Sequence, residues 1–162
     1  MPRLNLQNLD ARLACLAIVY HLGRPGSETN ALTLERHELG LGPVRDALEP
    51  HLQQAVVEID LSDYQLSRLG QALHGIANEL KQLDLAQGRS AVPGFAGAMG
   101  RLFPDAQHEA GATLDLVQHA IMLRRRLDAV VRVADAAVQA AREEQAQLRE
   151  RERRPWWKLW RR

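Results

Sequence analysis

A single cysteine among 162 residues rules out an internal disulfide. Cys15, set among Leu13, Leu16 and Ala17, reads as a small buried hydrophobe rather than a nucleophile. Aromatic residues make up only 4% of the chain, and with Ala and Leu abundant this favours helices over sheets. No apolar run is clean enough for a signal-peptide core or a membrane span, because MPRLNLQNLDARLACLAIVYHLG carries charges inside its apolar stretch. A cytoplasmic protein is expected. The chain also lacks a glycine loop of phosphate-binding spacing, a nucleophile elbow and paired catalytic carboxylates, so the expectation is a non-enzyme without a cofactor. No HExxH pair, Cys/His cluster or paired ExxH is present. His119, one turn after Asp115, and the neighbours Glu35, His37 and Glu38 therefore read as exposed or capping residues, and no metal site is expected.

What is present is an ordinary globular composition, 46% apolar and 25% charged, enough for one domain with a real core. Three segments alternate apolar spacings of three and four, the mark of helices packed lengthwise. The first is Leu6, Leu9, Leu13, Leu16, Tyr20, stopped by Gly23 and Pro25. The second is Leu66, Leu69, Leu73, Ile76, Leu80, Leu83, entered through a capping box of Ser62 and Gln65 and left at Gly88. The third is Leu116, Ala120, Leu123, Leu127, Val130, Ala134, Ala137, Ala141. A helical pattern runs without proline from Asp105 to Arg154, with Gly111 its weak joint, and after Ala141 it turns polar all round as AREEQAQLRERERR. At about 1.5 Å per residue this helix outreaches the second by a wide margin, so its end has nothing in the chain to pack on. The fold expected is all-α, a helical bundle of about five helices with a long C-terminal helix. Residues 1–141 form the bundle, 142–154 a charged helical stalk and 155–162 a docking tail.

Between the first two seams the pattern is less regular. Residues 33–39 and 43–54 each read as a short helix, with Pro50 bending or splitting the second. Residues 55–61, AVVEIDL, alternate like a strand without an evident partner, and read equally as a helix end. Residues 87–100, rich in Gly and Pro, form a packed connector leading to a short helix that stops at Pro104. The order of helix, TLERHELG, LGPVRDALEPHLQQ and AVVEID over residues 8–61 resembles a winged helix-turn-helix. That resemblance implies a DNA-binding regulator, with Arg36, Arg45 and His51 as contacts and the long helix for dimerisation. Against it, residues 1–85 hold seven basic and eleven acidic residues, a charge of −4, whereas phosphate contacts from cations supply most non-specific DNA affinity. Binding to nucleic acid is not the leading expectation.

The compensating charge lies at the other end. From Arg149 onward seven basic residues face only Glu150 and Glu152, a surplus that seeks an anionic surface. All three tryptophans, Trp156, Trp157 and Trp160, fall here, in RRPWWKLWRR. If Pro155 opens a helical turn, Trp156, Trp157, Leu159 and Trp160 share one face, and Lys158, Arg161 and Arg162 take the other. With Arg153 and Arg154 this is a docking device. Indoles and cations suit the surface of an anionic membrane, Trp and Arg suit a groove on a protein partner, and rings with cations suit a nucleic-acid strand. The tail's composition resembles that of short Trp- and Arg-rich membrane-active peptides. The bland reading is a cap folded back on the bundle. The expected function is that of a helical scaffold or adaptor, docked by this tail to the inner face of a membrane or to a protein groove. The Ala-rich end of the long seam would let copies self-associate. The triplet Arg124, Arg125, Arg126 reads as a solvated helix face, with Asp128 a one-turn partner for Arg124.

Overall fold

The computed structural model describes residues 3–24, 39–82, 90–107 and 109–153. Along them run β1 (Arg3–Gln7), α1 (Asn8–Gly23), α2 (Gly42–Leu48), β2 (Val56–Asp60), α3 (Asp63–Gln82), α4 (Phe95–Leu102) and α5 (Ala110–Arg153). Short 3-10 turns occupy Glu49–His51 and Asp105–Gln107. The molecule is an all-helical bundle with one small sheet, and α5 is its long C-terminal helix.

Small side chains in α1 set the architecture. Residues 13–18, LACLAI, are buried without interruption, together with Asp10, Ala11 and His21. A helix apolar on every side must be enclosed on every side, and here α3, α4, α2, α5 and the sheet all pack on α1. Ala11, Ala14, Cys15 and Ala17 let these neighbours approach closely. The burial of α1 is therefore wider than the single seam of Leu9, Leu13, Leu16 and Tyr20.

Leu6 does not extend that seam, because it belongs to β1. The segment RLNLQ alternates, with Leu4 and Leu6 inward and Arg3, Asn5 and Gln7 outward. Its register pairs Leu4 with Ile59 and Leu6 with Val57 in an antiparallel ladder, so AVVEID is a strand whose partner is the start of the chain. Asn8 locks the junction. Its backbone N–H donates to Ala55 O at 3.0 Å, and its side-chain amide donates to the carbonyls of Leu52 and Gln54. The α1 entry is closed by Asp10, whose carboxylate accepts the Gln7 N–H at 3.3 Å.

Pro50 splits its segment as its missing N–H requires: α2 stops at Leu48 and Pro50 sits in a 3-10 turn. The capping box at the start of α3 forms, with Ser62 N–H donating to Gln65 Oε1 at 3.0 Å and Gln65 N–H to Ser62 Oγ at 3.1 Å. Gln65 Nε2 also donates to Gly40 O at 3.2 Å, which ties α3 to the entry of α2. The α3 seam is buried from Leu66 to Leu80, and Leu83 lies outside the described residues, as does the region 33–38. Gly75 lets α3 come close to α1, since a Cβ there would fall on the Tyr20 ring. That ring in turn meets Phe95 of α4 edge-on, centroids 6.0 Å apart.

The 44 residues of α5 make a rod of about 66 Å, roughly twice the span of α3. Gly111 lies inside its first turn, so the joint falls earlier, after the 3-10 turn Asp105–Gln107. There Thr113 Oγ1 donates to Ala106 O at 3.0 Å. Leu116, Val117, Ala120, Leu123 and Leu127 are buried, and Val130 and Val131 pack at the margin. From residue 135 to residue 150 every side chain is exposed.

Candidate functional site

The arm of α5 is the feature that packing alone does not explain. The groove between α3 and α5 is lined by Ser67 and Gly70 opposite Asp128, Val131 and Arg132, and further along by Leu73 and His74 opposite Ile121 and Arg125. The two helices are thus antiparallel, and at one residue per 1.5 Å the first turn of α3 lies level with about residue 135 of α5. Beyond that level α5 has no neighbour among the described residues, and 136–153 project about 27 Å from the body. The helix stays helical on its own sequence. Ala and Gln are frequent, Arg and Glu alternate in sign, and neither Gly nor Pro interrupts residues 136–153.

The residues expected to dock follow this arm in the sequence. Arg153 closes α5, while Arg154, Trp156, Trp157, Lys158, Leu159, Trp160, Arg161 and Arg162 lie outside the described residues. Among the described residues no helix is long and apolar enough to cross a membrane.

The residues singled out for DNA do not gather. Arg36 lies outside the described residues, as do Glu35, His37 and Glu38. Arg45 on α2 is ion-paired with Asp46 at 3.0 Å, and His51 Nδ1 lies 3.0 Å from Gln54 Nε2. The outward face of α2 and its 3-10 extension shows Asp46, Ala47 and Glu49, an acidic surface toward which a phosphate backbone would not be drawn. β2, the would-be wing strand, pairs with β1 and leads straight into α3.

The arginine triplet is divided by the 100° helical step into three separate roles. Arg124 pairs with Asp128 at 3.8 Å, Arg125 is exposed, and Arg126 Nη1 reaches Asp10 Oδ2 at 2.7 Å. That last contact joins residues 116 apart and has no signature in the sequence. A second polar contact the sequence conceals is half-buried: Arg68 Nη2 lies 3.0 Å from His21 Nε2. Desolvation, then the charges of Arg68 and Arg24, lower the His21 pKa to about 4, so the ring is neutral at pH 7 and its Nε2 accepts. Cys15 is driven the other way. Burial, then the nearby Glu49 carboxylate, push its thiol up to about 12, which makes it inert as a nucleophile. His119 Nδ1 meets the Asp115 carbonyl at 2.9 Å. Among the described residues no three of His, Cys, Asp and Glu come together as metal ligands.

No protein-family model matches the chain, and no curated protein or solved structure shows a significant match to it. Its function therefore has to be argued from its own geometry.

Proposed function

We propose that this chain is a non-enzymatic helical adaptor, held to an anionic membrane surface by the Trp/Arg segment 155–162 and presenting its bundle at a distance. The observation that carries this reading is the arm. A helix of 44 residues, packed on the body only through its first half, leads directly into the segment that contains every tryptophan of the sequence. An arm with no packing role is accounted for if it acts as a spacer. At about 1 kcal/mol per basic residue near an anionic leaflet, Arg153, Arg154, Lys158, Arg161 and Arg162 together supply about 5 kcal/mol before any indole is buried. On the body, Arg45, Arg124 and Arg126 each have a carboxylate partner.

Tryptophan fluorescence tests this directly, because the body has no tryptophan to obscure the signal. Anionic vesicles should shift the emission to the blue, and the shift should shrink as salt rises, because salt screens the attraction. Trp157→Ala combined with Trp160→Ala should abolish co-sedimentation with the vesicles, whereas Arg161→Ala with Arg162→Ala should only weaken it. Emission already blue in the protein alone and unmoved by vesicles would mean a folded-back cap. A shift seen only with a protein partner would replace the membrane by a groove on that partner.

A further inference from the structure

The outer face of the packed half of α5 is apolar and cationic at once. Leu114, Ile121, Arg125 and Arg132 stand in one line at the 100° helical step, and Met122 and Val133 stand beside it. Leu114, Met122 and Val133 are 59%, 62% and 70% exposed, and Ile121 is 37% exposed. On its α3 side this line borders the groove between the two helices, where hollows of about 400 and 370 Å³ share Arg124 and Asp128. From Ile121 to Arg132 the groove runs about 16 Å, or three helical turns. Its floor opens at Gly70, where a Cβ would have Asp128 Oδ1, at 3.7 Å, as its one neighbour from beyond α3. The charge is one-sided. Arg124, Arg125 and Arg132 meet a single carboxylate in the groove, Asp128, which Arg124 already holds at 3.8 Å. Neither Arg125 nor Arg132 has a carboxylate partner among the described residues. The α3 wall adds Ser67, Gln71 and His74 and no acid.

We infer that this groove takes an acidic amphipathic helix of a protein partner. A hollow three turns long between two antiparallel helices, with apolar side chains along its rim, fits the apolar face of a third helix. Charge then selects the composition of that helix. Arg125 and Arg132 are seven residues apart on α5, so carboxylates one heptad apart on the docked helix meet both. Met and Arg, prominent on this face, are also the residue types enriched at protein interfaces. Other occupants are disfavoured. A second copy laid on the same face sets these arginines against those of its twin, and the segment 155–162 brings Lys158, Arg161 and Arg162. A nucleic-acid strand calls for polar and stacking side chains rather than for Leu114, Met122 and Val133. A lipid surface is flat and leaves the groove unfilled. The groove lies on the body, apart from the tail, so its ligand is the same whatever 155–162 docks to.

The test pans a display library of helical peptides against the full chain in vesicle-free buffer. The selected peptides should carry apolar residues at every third or fourth position, flanked by Asp and Glu, and a synthetic copy of one should bind saturably by fluorescence anisotropy. Arg125→Glu with Arg132→Glu should weaken that binding by about tenfold or more. The same peptide with Lys in place of its acids should recover binding to this variant. Gly70→Leu, which fills the floor of the groove, should weaken binding as strongly and leave the urea midpoint at least as high as in the parent, since glycine is the poorer helix former. Trp157→Ala with Trp160→Ala, and Arg161→Ala with Arg162→Ala, should bind the peptide like the parent. Selection of basic or uncharged peptides, or of none, would overturn the proposal. So would binding that the groove variants leave intact or that only the tail variants abolish, since the peptide would then sit elsewhere.

Discussion

Arg126 on α5 and Asp10 on α1 form a charge-assisted contact of 2.7 Å between side chains that are 53% and 9% exposed. Asp10 is also the acceptor for the Gln7 N–H, so one carboxylate fastens the long helix to the hinge between β1 and α1. Because the arginine is half in solvent, the pair stabilises far less than a fully buried one would. Arg126→Ala should cost about 1 to 2 kcal/mol, chiefly by leaving the buried carboxylate short of a donor. A double-mutant cycle with Asp10→Asn should return a coupling near 1 kcal/mol. Additive losses in that cycle would show that the two side chains do not act together.

His21 makes the fold sensitive to acid. Its folded pKa, lowered from 6.5 to about 4 by burial and then by Arg68 and Arg24, means that the unfolded chain binds more protons throughout that window. Stability from the neutral ring is therefore complete above pH 6.5, falls as pH drops through the window, and levels off below about 4. The drop is at most about 3 kcal/mol. Urea midpoints measured at pH 7.5 and 4.5 should differ less in His21→Gln than in the parent. Equal pH dependence in the two proteins would place the acid sensitivity in other groups.

Cys15, buried and with its thiol pushed up to about 12, should not react with a thiol reagent at pH 8 while the protein is folded. Labelling should instead follow global opening and accelerate in urea along the unfolding curve. Fast labelling of native protein would mean that α1 is less enclosed than its packing indicates.

Gly75 of α3 faces the Tyr20 ring of α1 with no room for a Cβ between them. Alanine raises helix propensity by about 1 kcal/mol, yet Gly75→Ala should destabilise by about 1 to 3 kcal/mol because the methyl group meets a packed ring. Tyr20→Leu should relieve that clash, so the double variant should lose less than the sum of the two single changes. If Gly75→Ala stabilises the protein, the ring has room to move.

How far the sequence foretold these features varies with the physics of each. Leu66 to Leu80 and Leu116 to Leu127 were legible because an amphipathic helix repeats its signal every turn. The capping box of Ser62 and Gln65 and the split at Pro50 were legible because both are local. β1 was hidden because Leu6 fits the spacing of the helix after it, and a strand of five residues carries only two inward side chains. The pairing of β1 with β2 joins residues 49 to 57 apart, that of Asp10 with Arg126 residues 116 apart, and no local pattern encodes either. The enclosure of α1 was hidden in a different way, since Ala and Cys weigh little in a seam although they decide how closely neighbours approach. For the function, the tail was conspicuous by composition and the reach of the arm by the length of its uninterrupted helical pattern, whereas the level at which the body ends emerged only when α3 and α5 were set side by side.

The division of α5 into a packed half and a projecting half predicts opposite outcomes for the same substitution at two positions of one seam. Leu127 is 2% exposed and seated in the core, so Leu127→Ala should cost about 2 to 5 kcal/mol, the cavity and transfer loss of a buried leucine. Leu148 stands three heptads further along the helix, half exposed, and Leu148→Ala should change the unfolding free energy by no more than about 0.5 kcal/mol. Equal effects at both positions would mean that the arm packs on its own body and that the end of the core lies well beyond Ala134.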